Sequence, residues 1–381
     1  MFFTPRYVKD ARQFCEAARR IIRYRLDLMT PKQIAELDER VAALDQAAKD
    51  RDRELVKART AELERSVGKM VPARSNAAWR ENCEVLLVAI VIAAGVRAYL
   101  LEPFKIPTGS MQPTLNGVIG VATTKPPPNP LVRAFDFVAR GRTFIDKKAT
   151  VDDVVVKMEE KSRLNYFTWT EITCEHSSYT IFAPMAVVQR DFNIWAPDPQ
   201  FGRRGTVIKA GEILARGYVD SGDFVLVNKL AYNFAFPKSG DVFVFRTTGI
   251  TRIEAGIPED MGSQHYIKRL AGVPGYTLRI AEPQLFINGK LATGIGFQRV
   301  MSLKGDYKGY SNPSSLPPYG ADYLTSPEDI FPVPEHAYFA LGDNSFHSSD
   351  SRYWGIVPEH NVTGKAFIAF WPFSAHWGFI E

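Results

Sequence analysis

The sequence predicts a mainly β fold: an antiparallel β domain, preceded by one transmembrane helix and an α-helical N-terminal region. Three observations carry this. An apolar run at residues 84–101 divides the chain into two stretches of different character. Before it, apolar residues recur at three- and four-residue spacing, the period of a helix face. After it, short β-branched and aromatic runs are punctuated by Gly, Pro and Asn, as in strands joined by tight turns.

The first element is a basic stretch, residues 6–28, with Arg19, Arg20, Arg23 and Arg25 beside Ile21, Ile22 and Leu26. It suits a helix lying on an anionic membrane surface and equally a solvated helix. Pro31 interrupts it. Residues 33–70 then place Ile34, Leu37, Val41 and Leu44 in a heptad-like stripe. Arg51 breaks the stripe, which leaves a helical hairpin and a longer coiled coil both open. Nothing here has catalytic character.

The apolar run is uncharged only from Val85 to Val96, short of the roughly 20 residues a span needs. Extending it from Arg97 through Phe104 supplies the length, with Arg97 snorkelling and Tyr99 and Phe104 at the interface. A buried core helix is the competing reading, and the strand-like sequence beyond Pro103 argues against it. Its distance from the N-terminus argues against a cleaved signal peptide. Arg74 and Arg80 place the N-terminus in the cytoplasm and residues from about 103 outside. The expected division is therefore 1–83 helical and cytoplasmic, 84–102 transmembrane, and 103–381 β-rich and extracytoplasmic.

Within the last part, 223–229, 240–246 and 365–370 read as strands, and 285–291 as a hairpin through Asn288-Gly289. Residues 118–216 open on Pro126-Pro127-Pro128 and carry strand-like runs at 153–156 and 179–182, the pattern of an inserted β subdomain. A smaller insertion is expected at about 276–335.

Composition narrows the function classes. The net charge is +5 over 381 residues. Residues 1–83 hold 18 Lys and Arg against 13 Asp and Glu, an excess of five, so the remainder is balanced and offers no basic field for nucleic acid. Cys15 and Cys83 precede the apolar run and Cys174 follows it. If the run spans a membrane, no disulfide is expected. No zinc-ligand spacing occurs, so neither metal nor cofactor is expected.

Three segments carry candidate chemistry. In Pro107-Thr108-Gly109-Ser110-Met111-Gln112-Pro113, a serine sits in a loop stiffened by two prolines. By itself this is a turn. In Tyr266-Ile267-Lys268-Arg269-Leu270-Ala271, a lysine lies inside an apolar strand, and alternation sends Lys268 and Arg269 to opposite faces. One face is expected to bury its cation; a surface Lys-Arg pair is the plainer alternative. A buried lysine can lose its proton and act as a base, which arginine cannot. In Gly342-Asp343-Asn344-Ser345-Phe346-His347-Ser348-Ser349-Asp350-Ser351-Arg352, small polar residues form a loop able to orient an amine. None of the six histidines has an evident catalytic partner.

Together, in this order, the segments resemble type I signal peptidases, the membrane-bound Ser-Lys proteases that remove signal peptides from exported preproteins. The resemblance covers the membrane segment with Glu102-Pro103-Phe104, the serine box at 107–115, strands at 222–246, the lysine box at 266–275 and the final box at 342–355. It implies Ser110 as nucleophile and Lys268 as general base, with Ser348 orienting the lysine. It implies an oxyanion hole from the Thr108 hydroxyl and the Ser110 amide. Phe104, Ile106, Leu115 and Ile267 would line pockets for small substrate residues, and Arg269, Asp343, Asp350 and Arg352 would support the site structurally. The implied partners are signal peptides, the lipid bilayer and the protein export machinery; the implied location is the bacterial cytoplasmic membrane. The insertion at 118–221 and the N-terminal helices depart from the family pattern. A self-cleaving repressor on the same fold, a catalytically dead peptide-binding scaffold and a structural membrane protein are the competing functions.

Overall fold

The computed structural model describes residues 5–25, 29–70, 77–163, 167–199, 202–255, 264–316 and 320–381. Leu26 and Arg74, used in the sequence reading, lie outside them. The chain forms two compact units, Met1–Val91 and Ile92–Glu381.

In the first unit, helix α1 (Arg6–Tyr24) buries Val8, Ala11, Cys15, Ala18 and Ile22, a strict three-four stripe. That stripe shares one core with Leu37, Val41 and Leu44 of α2 (Pro31–Asp50) and Val56 and Leu63 of α3 (Arg53–Met70). The apolar face of α1 is therefore spent on helix packing and is not free to lie in lipid. Pro31 does not merely interrupt; it opens α2 at the position where a missing N–H costs nothing. Thr30 and Gln33 close a capping box over it. Arg51 takes a left-handed conformation, φ 56°, at the end of α2, and Asp52 caps the Leu55 N–H. The outcome is a helical hairpin.

Helix α4 (Ala77–Tyr99) contains a 21-residue stretch, Trp79–Tyr99, of mean hydropathy 1.7 with none of its residues buried. A core helix would be covered, so that alternative fails. Among the described residues this is the one helix long and apolar enough to cross a membrane. Most of the length beyond Val85–Val96 comes from the N-terminal side, Trp79–Glu84, and only Arg97–Tyr99 from the C-terminal side. Residues 101–105 cannot extend the helix because they form strand β1 (Leu101–Lys105). Lys229 ties the junction, donating to the Ala98 carbonyl and to Glu102.

Strand β1 begins an antiparallel sheet that continues with β2 (Phe224–Asn228), β3 (Val242–Arg246), β4 (His265–Gly272), β5 (Ala337–Leu341), β6 (Val357–Pro358), β7 (Val362–Trp371) and β8 (Gly378–Phe379). Its spatial order is β1-β2-β7-β3-β4-β5-β6, with β8 on β7. Register shifts at Leu270/Gly272, Ala366/Ile368 and Ala369/Trp371 mark bulges that curl it. Phe243, Phe245, Leu270 and Ala340 fill one core; Ile106, Leu115, Val225 and Val244 fill another.

The inserted segment leaves on Ile119–Ala122 and returns on Ile213–Asp220, which pair antiparallel with Ile119 opposite Asp220. Arg142–Lys148 completes that sheet, and a second sheet holds Asp153–Arg163, Phe167–Cys174, Ser178–Ile181 and Val207–Ile208. The smaller insertion forms its own sheet from Thr277–Ala281, Gln284–Ile287, Lys290–Leu291 and Phe331–Pro332. Its hairpin turns at Asn288 and Gly289, φ 51° and 74°, as the Asn-Gly pair predicts.

Candidate active site

Ser110 lies in a single 3₁₀ turn, Gly109–Met111, between β1 and the inserted segment. Such a turn holds a side chain poorly unless its neighbours fix it, and here several do. Ile106 N–H donates to the Asp223 carbonyl, Asn116 N–H to the Asp223 carboxylate, and Asp223 N–H to the Asn116 carbonyl. Gly117 passes so close to Thr108 that an added Cβ would stand 2.2 Å from its carbonyl carbon; no other residue fits there. From the far side of the site, Asn344 donates its N–H to the Ser110 carbonyl and its side-chain amide to the Gly109 carbonyl, both at 3.0 Å. The serine box is thus clamped from both ends.

Lys268 projects from β4 into this loop. Its Nζ donates to Ser110 Oγ at 2.7 Å and to the Ile267 carbonyl at 3.2 Å. Both side chains are buried. Burial pushes the Lys268 pKa down from its ordinary 10.5 to about 8; Asp350 and Asp343 oppose the drop and Arg352 aids it. Desolvation disfavours the cation and prevails because, among the described residues, no carboxylate bonds the amine.

Arg269, the next residue, is buried too, so the strand hides both cations instead of one. The reason is that both faces of β4 are covered: Ile267 packs into one apolar core and Leu270 into another. Arg269 survives as a cation through a two-point bond to Asp343, 2.8 and 2.6 Å. Burial disfavours its charge, but Asp343 outweighs that and holds Arg269 above its ordinary range. Asp343 also accepts from Thr114 of the serine box at 2.5 Å. Arg352 repeats the arrangement with Asp350, both fully buried, and donates further to Ser311 and Ser345. Asp350 accepts the Gly342 N–H.

Ser348 departs from expectation. Its hydroxyl is buried beside the pair but makes no hydrogen bond among the described residues. Lys268 directs its bonds to Ser110 and Ile267 instead. An added Cβ on Gly342 would lie 2.1 Å from Ser348 Oγ and 2.5 Å from the Ser110 carbonyl, so glycine is what lets the three strands of chain converge. Thr108 Oγ1 lies 3.5 Å from Ser110 Oγ, on the exposed side. Phe104, Ile106, Leu115 and Ile267 all belong to one apolar cluster. Ile106 and Leu115 are fully buried and form its floor, while Phe104 and Ile267 are only partly covered. The sequence reading missed Asn344 and Thr114; both lie inside the polar boxes, but only the fold shows which carbonyl or carboxylate they reach.

As for metals, Asp153, Glu175 and His176 approach one another in the insertion. The Asp153 carboxylate already accepts from the Val154 and His176 amides and the Ser177 hydroxyl. It is committed to shaping that turn.

Residues 216–371 match the family described as signal peptidase, peptidase S26. The likeness to that family rests on these residues, about two-fifths of the chain. The matched stretch holds Lys268 and Ser348; Ser110 precedes it, across the insertion, and it is the fold that joins them. Among relatives, a signal peptidase I of Leptolyngbya laminosa is 32% identical, covering 39% of this chain and 61% of that one. The signal peptidase I of Pseudomonas aeruginosa is 31% identical over 40% of this chain and 61% of the relative. That of Rickettsia conorii is 37% identical over 35% and 52%. The chain thus spans about three-fifths of the length of the first relatives it matches.

Proposed function

We propose that this protein is a membrane-anchored serine endopeptidase that removes N-terminal signal peptides from exported preproteins. The observation that carries the reading is the 2.7 Å contact between Ser110 Oγ and a buried lysine whose pKa falls to about 8. A lysine in that state is neutral in roughly a tenth of molecules at pH 7, enough to serve as a base.

Neutral Lys268 takes the Ser110 hydroxyl proton as Oγ bonds to the scissile carbonyl carbon. The Thr108 hydroxyl and the Ser110 amide face the oxyanion. The tetrahedral intermediate collapses, the carbonyl carbon–nitrogen bond breaks, and the Lys268 ammonium returns its proton to the leaving amine. Water, deprotonated by Lys268, then releases the signal peptide as a carboxylate. Phe104 and Ile267 bound the recess for small substrate side chains, over the floor of Ile106 and Leu115. The substrate adds as a strand, with small residues at alternate positions. Arg269–Asp343 and Arg352–Asp350 hold the loops in place. Ser348, whose buried hydroxyl has no partner among the described residues, orients the amine.

Trp79–Tyr99 is the anchor, with the N-terminal helices in the cytoplasm and the β domain on the outer face of the cytoplasmic membrane. A substrate tethered in the same bilayer is then presented beside the site, where it is delivered by the export machinery.

The test is cleavage of a preprotein bearing an Ala-x-Ala site by the wild type, Ser110→Ala and Lys268→Ala. Cleavage after the second Ala by the wild type alone, with all three folded, upholds the dyad. A wild type that binds the preprotein without cutting it would point to a peptide-binding scaffold.

A further inference from the structure

Helix α5 (Pro130–Arg140), in the inserted segment, is built inside out. Leu131, Phe135 and Val138 recur at i, i+4 and i+7 and so share one face. They are 83%, 65% and 62% exposed. The single buried residue of the helix is a carboxylate, Asp136, paired with Arg140 one turn on at 3.3 Å. A surface helix ordinarily buries its apolar stripe and shows its charges; this one does the reverse. Its ends are fixed: the Asn129 side chain caps the Val132 N–H, and Gly141 closes the helix in a left-handed turn. The helix packs on the strand Arg142–Lys148.

The exposed face has a neighbour that indicates what covers it. Phe137 of the same helix packs edge-on to Trp371 and, with Phe182 and Phe224, lines an apolar groove of about 660 Å³. Arg97, in the last turn of α4, lines the same groove.

We propose that α5 lies in the headgroup–acyl boundary of the bilayer, with Leu131, Phe135 and Val138 turned into lipid. This rests on the reading of Trp79–Tyr99 as a span. An arginine at the end of a span lies at the membrane interface, so a groove it lines lies at that level as well. Arg133 and Arg140, both exposed, lie on the opposite face of the helix, so the face that carries Leu131, Phe135 and Val138 holds no charge. The three apolar side chains form an exposed ridge along one helix face, which lipid can cover. The inserted segment thereby gives the β domain a second point of contact with the membrane.

The experiment uses the full chain in vesicles of phosphatidylethanolamine and phosphatidylglycerol. In a Cys83→Ser background, an environment-sensitive fluorophore is attached at Phe135→Cys, with Val138→Cys as a second site on the ridge. Ile90→Cys reports the span, and Lys209→Cys, an exposed site toward the other end of the insertion, is the control. Nitroxide lipids quench at headgroup or acyl-tail depth. The expected result is blue-shifted emission at 135 and 138, quenched most by the shallow nitroxide, with 90 quenched by the deep one and 209 by neither. If 90 is quenched but 135 and 138 behave like 209, the lipid contact of α5 is overturned and the span stands. A blue shift at 135 without lipid quenching means protein covers the ridge, which also overturns it. If 90 is not quenched either, the span fails and this inference fails with it.

Discussion

Two adjacent residues on β4 meet opposite fates. Lys268 and Arg269 are both removed from water, yet one is pushed toward neutrality and the other is locked as a cation. The difference is a carboxylate. Asp343 bonds Arg269 through two oxygens, whereas among the described residues Lys268 hydrogen-bonds only a hydroxyl and a carbonyl. Burial without a counter-ion makes a base; burial with one makes a structural bolt. A single strand thus supplies reactivity on one side and rigidity on the other.

The largest effect should come from making Lys268 resemble its neighbour. Lys268→Arg keeps the charge but cannot give up its proton, and preprotein cleavage is expected to fall by roughly a thousandfold or more in kcat. Activity near wild type would show that no neutral amine is required. Next, removing the counter-ion from the other side, Asp343→Asn, leaves Arg269 buried and unpaired. The expected loss is about 3–5 kcal/mol of folding stability, read by denaturant unfolding, with a matching drop for Asp350→Asn.

The pH dependence sharpens the contrast. Because the active form is the deprotonated one, kcat/KM should climb with pH through about 8 and level off above it. Ser348→Asp would bring a carboxylate toward Lys268 and should move that climb upward by about one pH unit. A profile that stays in place would mean the lysine does not set it. The same shift acts on stability: between about 8 and 10.5 the unfolded lysine holds a proton the folded one has lost, so stability gains with pH across that window. The smallest effect is expected for Asn344→Ala, which removes one of the two bonds that Asn344 makes to the serine loop. A drop of roughly tenfold in kcat with little change in KM is expected; an equal rise in KM would assign Asn344 to substrate binding instead.

Much of this was legible in the sequence, and the failures have definite causes. The strands around 224–228, 242–246 and 362–371 follow from β-branched and aromatic runs, and the Asn288-Gly289 turn from its two left-handed residues. Lysine in an apolar run pointed to a buried amine. Its contact with a serine 158 residues away could not be read from either segment, because a long insertion lies between them. Alternation along β4 suggested one hidden cation, but alternation sorts residues only when one face is wet, and here both faces are covered. The α4 boundary was misplaced because hydropathy does not mark where Leu101 takes up a strand partner, Asn228. Helix α5 was not anticipated in a segment read as β, and which of its faces turns inward is set by packing against the strand beside it.

The inserted segment departs and returns on directly paired residues, Ile119 and Asp220. A chain that leaves a fold and comes back through hydrogen-bonded neighbours closes its own loop locally. Its entropy of closure is met by those strands and not by the sheet that carries Ser110 and Lys268. Joining the two strands by a tight turn would leave the ends of the host chain where they are. This position is therefore a docking port for modules: segments of very different length can be gained, exchanged or lost there in evolution, or grafted by design, without retuning the chemistry next door.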